Sequence, residues 1–441
     1  MAPETADFSD PKGRIFRLGT PDNPAAERRS SFAALRHRDF RLMWVGQFVS
    51  LTGSQMQLVT INWHVYLLTR PRGEAAAAAA LGLVGLVRVL PIVACSLVGG
   101  VVADAVDRKR LILVTQAVML LSAAALAAVT AAGLEQVWPV YALTALSSAA
   151  VAFDNPARQA LLPALVPPRD FPNAVSLGFV SFQIAMVSGP ALGGVVLARY
   201  GPTAVYVFNA ASFLAVVLAV LLMRASGKGR AEELARVSVE SLKEGLRFVW
   251  RTPIMVQTMS LDFVATFFAS ATALLPIFAR DVLMVGERGY GLLAAASAAG
   301  AVLTGVLLTA RRAGWGRPGV AVLVSVAVYG AATVGFGLSR SYWLSLVCLA
   351  LTGAADTVST VIRQTIRQLI TPDRLRGRMT SVNMIFFMGG PQLGELEAGL
   401  VAAAAGAPFS VVLGGVCCLA AVAFAFTRAR ELMRYRFAGR D

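Results

Sequence analysis

Apolar runs of about twenty residues alternate with short polar turns along most of the chain. Each run is long enough to cross the ~30 Å hydrocarbon core of a bilayer as a helix, at ~1.5 Å per residue. The pattern predicts twelve spans, at 42–68, 78–103, 111–132, 138–160, 173–198, 202–223, 254–279, 289–310, 319–338, 342–363, 380–403 and 408–427. The Ala-rich stretch from Ala75 to Ala80 blurs the start of the second span, and Pro156 is expected to interrupt the fourth. A long polar insert, 224–253, separates the sixth span from the seventh. Within it Leu234, Val237, Leu242, Leu246 and Val249 recur at helical spacing among Glu232, Glu233, Arg236, Lys243 and Arg247. That spacing predicts an amphipathic helix lying on a membrane surface. The chain thus reads as an all-α integral membrane protein: a tail (1–41), a six-helix bundle (42–223), the linker (224–253), a second six-helix bundle (254–427) and a basic tail (428–441). No apolar segment precedes residue 42, so no cleavable leader is expected.

Composition agrees. Of 441 residues 56% are hydrophobic and 15% charged, whereas soluble domains carry about a quarter charged residues. Mean hydropathy is +0.65. The 40 Lys+Arg outweigh 25 Asp+Glu for a net +15, and most of the cations fall in segments on one side of the predicted spans, together with both termini. The other side holds only Arg70, Arg72, Arg199, Arg280, Arg288 and Arg340. By the positive-inside bias both termini are cytoplasmic, and the basic excess is what anionic lipid attracts. Membrane lipid is therefore an expected partner and nucleic acid is not. Cys95, Cys348, Cys417 and Cys418 lie in apolar runs and read as small buried hydrophobes. With only two histidines there is no metal-ligand cluster and no nucleophile–base set, so no enzyme, metal or cofactor is expected. Gly227-Lys228 lacks the glycine five residues earlier that a phosphate loop needs, since Leu222 stands there. Without such a loop the chain is not a self-contained ATP-driven pump, and any solute it moves is driven by an ion gradient or runs downhill.

The two halves are related. A shift of 205 residues lays Ala157-Arg158-Gln159-Ala160-Leu161 on Ile362-Arg363-Gln364-Thr365-Ile366, Pro167 on Pro372 and Gly100 on Gly305. After four residues are removed, Gly189-Pro190-Ala191-Leu192-Gly193 meets Gly390-Pro391-Gln392-Leu393-Gly394. A duplicated six-span unit is the architecture of transporters that rock two bundles about a central site.

Several phrases carry a family resemblance. Gly100-Val-Val-Ala-Asp104-Ala-Val-Asp107-Arg108-Lys109-Arg110 resembles the G-x-x-x-D-x-x-x-R-K/R signature of the major facilitator superfamily. Ala185-Met-Val-Ser-Gly189-Pro190-Ala-Leu-Gly193-Gly194 resembles its antiporter signature, with Ala185 in place of the leading glycine. Phe40-Arg41-Leu42-x-Trp44-x-Gly46-Gln47 and Asp154-Asn155-Pro156-Ala157-Arg158-Gln159-Ala160 resemble the branch that contains the enterobactin exporter and macrolide and multidrug efflux proteins. The resemblance implies the major facilitator fold, twelve helices in two six-helix bundles. It also implies a latch in which Asp104, with Arg108 and Lys109 beside it, pairs with Arg158 or sits at the start of the eleventh span. The alternative is that Asp104 and Arg108 are solvated loop charges. In the second half Thr309 and Ala313 replace Asp104 and Arg108, and Arg363 replaces Arg158, so any latch is asymmetric. The Gly-Pro-x-x-Gly-Gly run implies a tight outer seal and export polarity; ordinary close packing is the plainer reading.

Ionisable residues inside spans are costly in lipid unless they face a partner or water. They are His64, Arg88, Asp262, Asp356, Glu395 and Glu397. Asp262 lies at the repeat position of Gln57, and two polar groups at one depth point to the central cavity. Asp262 is the first candidate to carry a proton; the alternative is a carboxylate held by a helix-terminal arginine. Asp356 lies seven residues before Arg363 and suits coupling or a gating pair. Glu395 and Glu397 point about 160° apart, so Glu395 is the cavity candidate and Glu397 faces outward. Arg88 would neutralise an anionic cargo or pair with one of these acids, and His64 reads as an interfacial histidine. Trp63, Phe179, Phe182, Gln183, Phe267, Phe268, Phe386 and Phe387 are candidate lining for an aromatic, amphipathic cargo.

The expected function is export of a siderophore or hydrophobic drug-like molecule, coupled to protons, by a monomer in a bacterial inner membrane. Lipid or lysophospholipid movement is the second reading. A membrane sensor that kept the fold without transporting is the third.

Overall fold

The computed structural model describes residues 32–133, 136–225, 247–269, 272–310, 316–372, 376–428 and 430–435, with the backbone alone at 97–101, 103–105, 376–389, 430 and 434. Tail residues 1–31 and 436–441 and most of the predicted insert helix (226–246) lie outside the described residues. Among the described residues there are helices and no strands. The long helices are α1 Arg38–Thr69, α2 Glu74–Ala105, α3 Arg108–Ala131, α4 Trp138–Leu161, α5 Phe171–Leu222, α6 Pro253–Phe268, α7 Gly286–Ala310, α8 Pro318–Leu338, α9 Tyr342–Ile370, α10 Arg376–Ala405 and α11 Ala407–Arg428. The fifth and sixth spans are the two arms of α5, which breaks at Gly201 (φ +76°, ψ 179°). Only glycine takes that positive φ without strain, and Pro202 restarts the helix behind it.

Eight of these elements are apolar enough along their length to cross a membrane. α1 and α4 fall short because they carry polar positions, Gln55, Gln57, Asn62 and His64 on the first and Asp154 and Arg158 on the second. Helices with polar groups survive in a bilayer by burying them against protein or facing a water-filled cavity.

Two expectations about the elements change. α4 runs through Pro156 to Leu161. The proline removes one backbone bond, but Asp154, beside it, is bonded to Thr115 and Gln116 of α3, so the neighbouring helix holds the turn. The seventh span is not one helix. α6 ends at Phe268, and the chain continues through short turns to a π-helical segment, Phe278–Val282. π-turns mark places where a helix gives up regular packing to aim side chains.

α1–α5 form one lobe and α6–α11 the other. Both described chain ends and both ends of the insert lie at one face, here the terminal face; the opposite one is the distal face. At the distal face a single apolar core runs through both lobes, joining Val59, Trp63, Tyr66, Leu81 and Val84 to Leu274, Phe278, Tyr290, Leu293 and Phe336. At the terminal face the core is split. Phe40, Ile112, Leu161, Leu177 and Val220 belong to one cluster and Ile254, Val322, Ile362, Ile366 and Leu432 to another, with no member shared. Among the described side chains the two lobes share one apolar core at the distal face and have separate ones at the terminal face.

Candidate functional site

Two helix seams close the distal half, α5 against α7 and α2 against α10. In the first, Gly194 meets Gly291: a Cβ on Gly194 would stand 2.7 Å from Gly291 Cα and 2.9 Å from the Glu287 carbonyl. In the second, a Cβ on Gly82 would stand 3.0 Å from Gly399 Cα. Such contacts let backbones meet where a side chain would hold them apart.

The Gly-Pro-x-x-Gly-Gly run serves two partners. Gly189 and Gly193 pack on α1, against Gln55 and Met56, inside their own lobe, while Pro190 and Gly194 face α7 of the other lobe. The second copy repeats the first task, Gly390 and Gly394 lying on Thr266 and Phe267 of α6. At the position equivalent to Gly194 it carries Glu395, which enters the α2–α10 seam. A Cβ on Gly85 would stand 2.8 Å from Glu395 Oε2, so the carboxylate fits because Gly85 has none. Thr272 Oγ1 donates to Glu395 Oε1 at 3.2 Å, and Arg88 is within electrostatic reach of the same carboxylate.

Above the seams sits a polar clasp that the sequence reading did not anticipate. Arg70 Nε donates to Asp281 Oδ2 at 3.0 Å and Tyr66 Oη to Asp281 Oδ1 at 2.9 Å, tying the end of α1 to the π-helical segment of the other lobe. Arg70 lies outside the spans, and the Asp281 carboxylate raises its basicity further. Beneath the clasp Trp63 stacks on Tyr290 at 5.1 Å, and Tyr290 Oη donates to the Val59 carbonyl at 2.9 Å. Trp63 is 1% exposed and belongs to this seal, not to a cavity wall. His64 is buried rather than interfacial, its Nδ1 3.0 Å from Tyr206 Oη. The signal available in sequence was the Arg280-Asp281 pair between two spans, but nothing there identified its partner.

At the open end of the second lobe Asp262 and Arg363 are paired, with Arg363 11% and Asp262 22% exposed at the side chain. Arg363 also reaches Asp356 Oδ1 at 3.8 Å and donates to Thr360 Oγ1 at 2.9 Å. Ala265, Thr266, Val326, Tyr329, Ala355 and Ser359 complete a small pocket around these charges. Two candidates from α9 and one from α6 thus converge on one group: two carboxylates share one guanidinium. Asp262 is held by an arginine, as one of the two sequence readings had it. Its repeat partner Gln57 does not line the cavity as expected. It is 6% exposed and accepts from Asn209 Nδ2 at 2.7 Å inside its own lobe, because an amide there finds a partner on the second arm of α5.

In the first lobe Arg158 pairs with Asp154 one turn earlier on α4, and Asp154 Oδ1 accepts from Thr115 Oγ1 (2.8 Å) and Gln116 Nε2 (3.1 Å). Gly100 and Asp104 lie in the last turns of α2, and the Asp104 side chain falls outside the described residues. Arg108 and Lys109 are not solvated loop charges. Arg108 donates to the Ala160 carbonyl at 2.9 Å and Lys109 Nζ to the Met223 carbonyl at 2.8 Å, so each cation caps a helix C-terminus in its own lobe. Asp107 caps α3 through the backbone N–H of Lys109 and Arg110.

Of the lining candidates, Phe179 and Phe182 are exposed and Gln183 half-buried. Phe267 is half-buried, stacked on Phe263 at 5.6 Å and edge-on to Phe268 at 5.0 Å. Side chains of Phe386 and Phe387 lie outside the described residues.

Residues 29–434 match the family model described as transmembrane secretion effector. The chain is 28% identical over 398 residues to the multidrug efflux pump Tap of Mycolicibacterium fortuitum, covering 87% of this chain and 95% of that pump. It is 26% identical over 411 residues to the enterobactin exporter EntS of Escherichia coli O139:H28, covering 91% and 94%. Its fold resembles the inward-facing, unoccupied structure of a bacterial homologue of the human lysosomal transporter Spinster, with TM-score 0.70 at 17% identity over 92% of this chain and 99% of that one. A bacterial homologue of the iron transporter ferroportin gives 0.65 at 15% identity over 90% and 99%. With a duplicated helical unit, two lobes and these matches along nearly its whole length, the chain belongs to the transmembrane secretion effector family of major facilitator transporters.

Proposed function

We propose that this chain exports a siderophore or a hydrophobic drug-like molecule across a bacterial inner membrane, with both termini cytoplasmic, by proton-coupled alternating access. The observation that carries the reading is the split core. One apolar cluster joins the lobes at the distal face while two separate clusters line the terminal face, which is how a two-lobed carrier is arranged when open to one side only. With the terminal face cytoplasmic, this state takes up cargo from inside. The names of Tap and EntS support drugs and a siderophore as cargo classes.

Asp262 is the coupling group in this reading. Its carboxylate competes with Asp356 for Arg363. A proton on Asp262 cancels its charge and leaves Arg363 to Asp356, shifting the arginine along α9. That exchange gives proton loading a mechanical consequence in the lobe that must move. When the terminal face closes, Asp104 at the end of α2 meets the opposite lobe and forms the latch that the family signature implies. One chain supplies both halves of each gate, so the working unit is a monomer.

The test is efflux of a drug-like dye from proteoliposomes under an imposed pH gradient, comparing wild type with Asp262→Asn. Wild type concentrates the dye uphill and Asp262→Asn only equilibrates it. Uphill export by the variant removes Asp262 from coupling, and dye movement with no pH dependence in wild type favours lipid-type or downhill transport.

A further inference from the structure

Arg88 stands apart from the other charged groups. It lies 14 residues beyond the start of α2, so about 21 Å along the helix at 1.5 Å per residue, deep within the span. Gly82 and Gly85 point the face of α2 that meets α10, and Arg88 is the next turn of that face. Past it on the same face Val89 is 6% and Val93 55% exposed, so the seam opens between them. Arg88 therefore sits half-buried at the edge where the sealed half gives way to the parted half.

Among the described residues it forms no hydrogen bond and no ion pair within 4.0 Å. Asp262, Asp154, Asp281 and Asp356 each have a cationic partner within that limit. The acid within reach of Arg88 is Glu395, whose oxygens are instead placed beside Gly85 and Thr272. One turn earlier on α10, Gln392 holds a buried amide oxygen without a partner. A guanidinium with five donors, at bilayer depth and without a hydrogen bond among the described residues, suits an anion.

We propose that Arg88 receives the anionic group of an amphipathic organic cargo, and that Glu395 is the internal anion competing for it across the α2–α10 seam. This rests on the export reading above and narrows its cargo to organic anions such as carboxylates, phenolates or sulfonates. Because Arg88 and Glu395 belong to different lobes, cargo on Arg88 also weakens an attraction that holds the lobes together.

The test uses the full chain in nanodiscs and two dyes with a common xanthene ring, carboxyfluorescein (anionic) and rhodamine 123 (cationic), with binding read by anisotropy. Wild type binds carboxyfluorescein at least threefold more tightly than rhodamine 123. Arg88→Gln weakens carboxyfluorescein about tenfold or more, the effect of losing a charge-assisted bond, and Arg88→Lys recovers most of it. Glu395→Gln removes the competitor and tightens carboxyfluorescein severalfold, a gain that misfolding cannot mimic. Equal binding to wild type and Arg88→Gln, or weaker binding to Glu395→Gln, overturns the proposal. So does competition by phosphatidylglycerol that Arg88→Gln abolishes, which would make the bound anion a lipid headgroup. Dye binding as described, with no transport in proteoliposomes, would leave this site standing and remove the export reading instead.

Discussion

Placing a side chain in the α5–α7 seam should push the carrier out of the state described here. In Gly291→Val the new Cβ would lie 2.6 Å from Gly194 Cα and 2.7 Å from the Pro190 carbonyl oxygen, both backbone atoms. Carbon atoms pack at about 3.5–4.0 Å, so the helices must part by roughly 1 Å, and the two methyls add to that. α5 cannot yield alone, because Gly189 and Gly193 press its opposite side onto α1. Overpacking of this kind costs about 1–3 kcal/mol. The cost falls only on the state closed at the distal face, so the ratio of states shifts by about 5- to 150-fold. The assay is double electron–electron resonance between spin labels at Arg72 and Met284, exposed positions on the distal ends of the two lobes. A cysteine-free background is needed, since Cys95, Cys348, Cys417 and Cys418 are all free thiols. The variant should gain a population at longer distance, at the expense of the wild-type peak. An unchanged distance distribution in a folded Gly291→Val protein would refute both the seam and the two-state reading built on it.

Asp281→Asn removes the charge that Arg70 and Tyr66 share. Because Arg70 is 41% exposed, solvent screening limits the effect to about 0.5–1 kcal/mol, seen in the same labels as a small distal-open fraction that grows further in Tyr290→Phe. Asp107→Ala strips the cap of α3 and should lower stability by about 1 kcal/mol in thermal unfolding, without altering dye binding. Asn209→Leu leaves the Gln57 amide buried without its partner at a cost of about 1–3 kcal/mol, and Gln57→Leu in the same chain should recover most of it.

What could be read from sequence followed from local rules. Span positions were legible because hydrophobic length is set residue by residue, and the repeat because Arg158 and Arg363 or the two Gly-Pro runs keep their spacing. The break at Gly201 falls in the gap between the predicted spans 173–198 and 202–223, whereas the expected interruption at Pro156 was overruled by bonds from α3. Depth along a helix also followed, which is why Asp262, Asp356, Arg88 and Glu395 stood out as buried charges. Direction did not. Gln57 and Asp262 share a register in the repeat, yet one turns to Asn209 within its lobe and the other to Arg363 at the open end. Nothing near Asp281 in sequence points to Arg70 and Tyr66, which meet it from more than two hundred residues away. Pairing across such separations depends on how two lobes are docked, and the docking is decided by backbone contact at Gly194–Gly291 and Gly82–Gly399, not by any periodicity along the chain. Sequence alone determined which groups the membrane must hide; the tertiary structure decided what hides them, because partner choice for a buried charge is a property of the neighbouring helix rather than of its own.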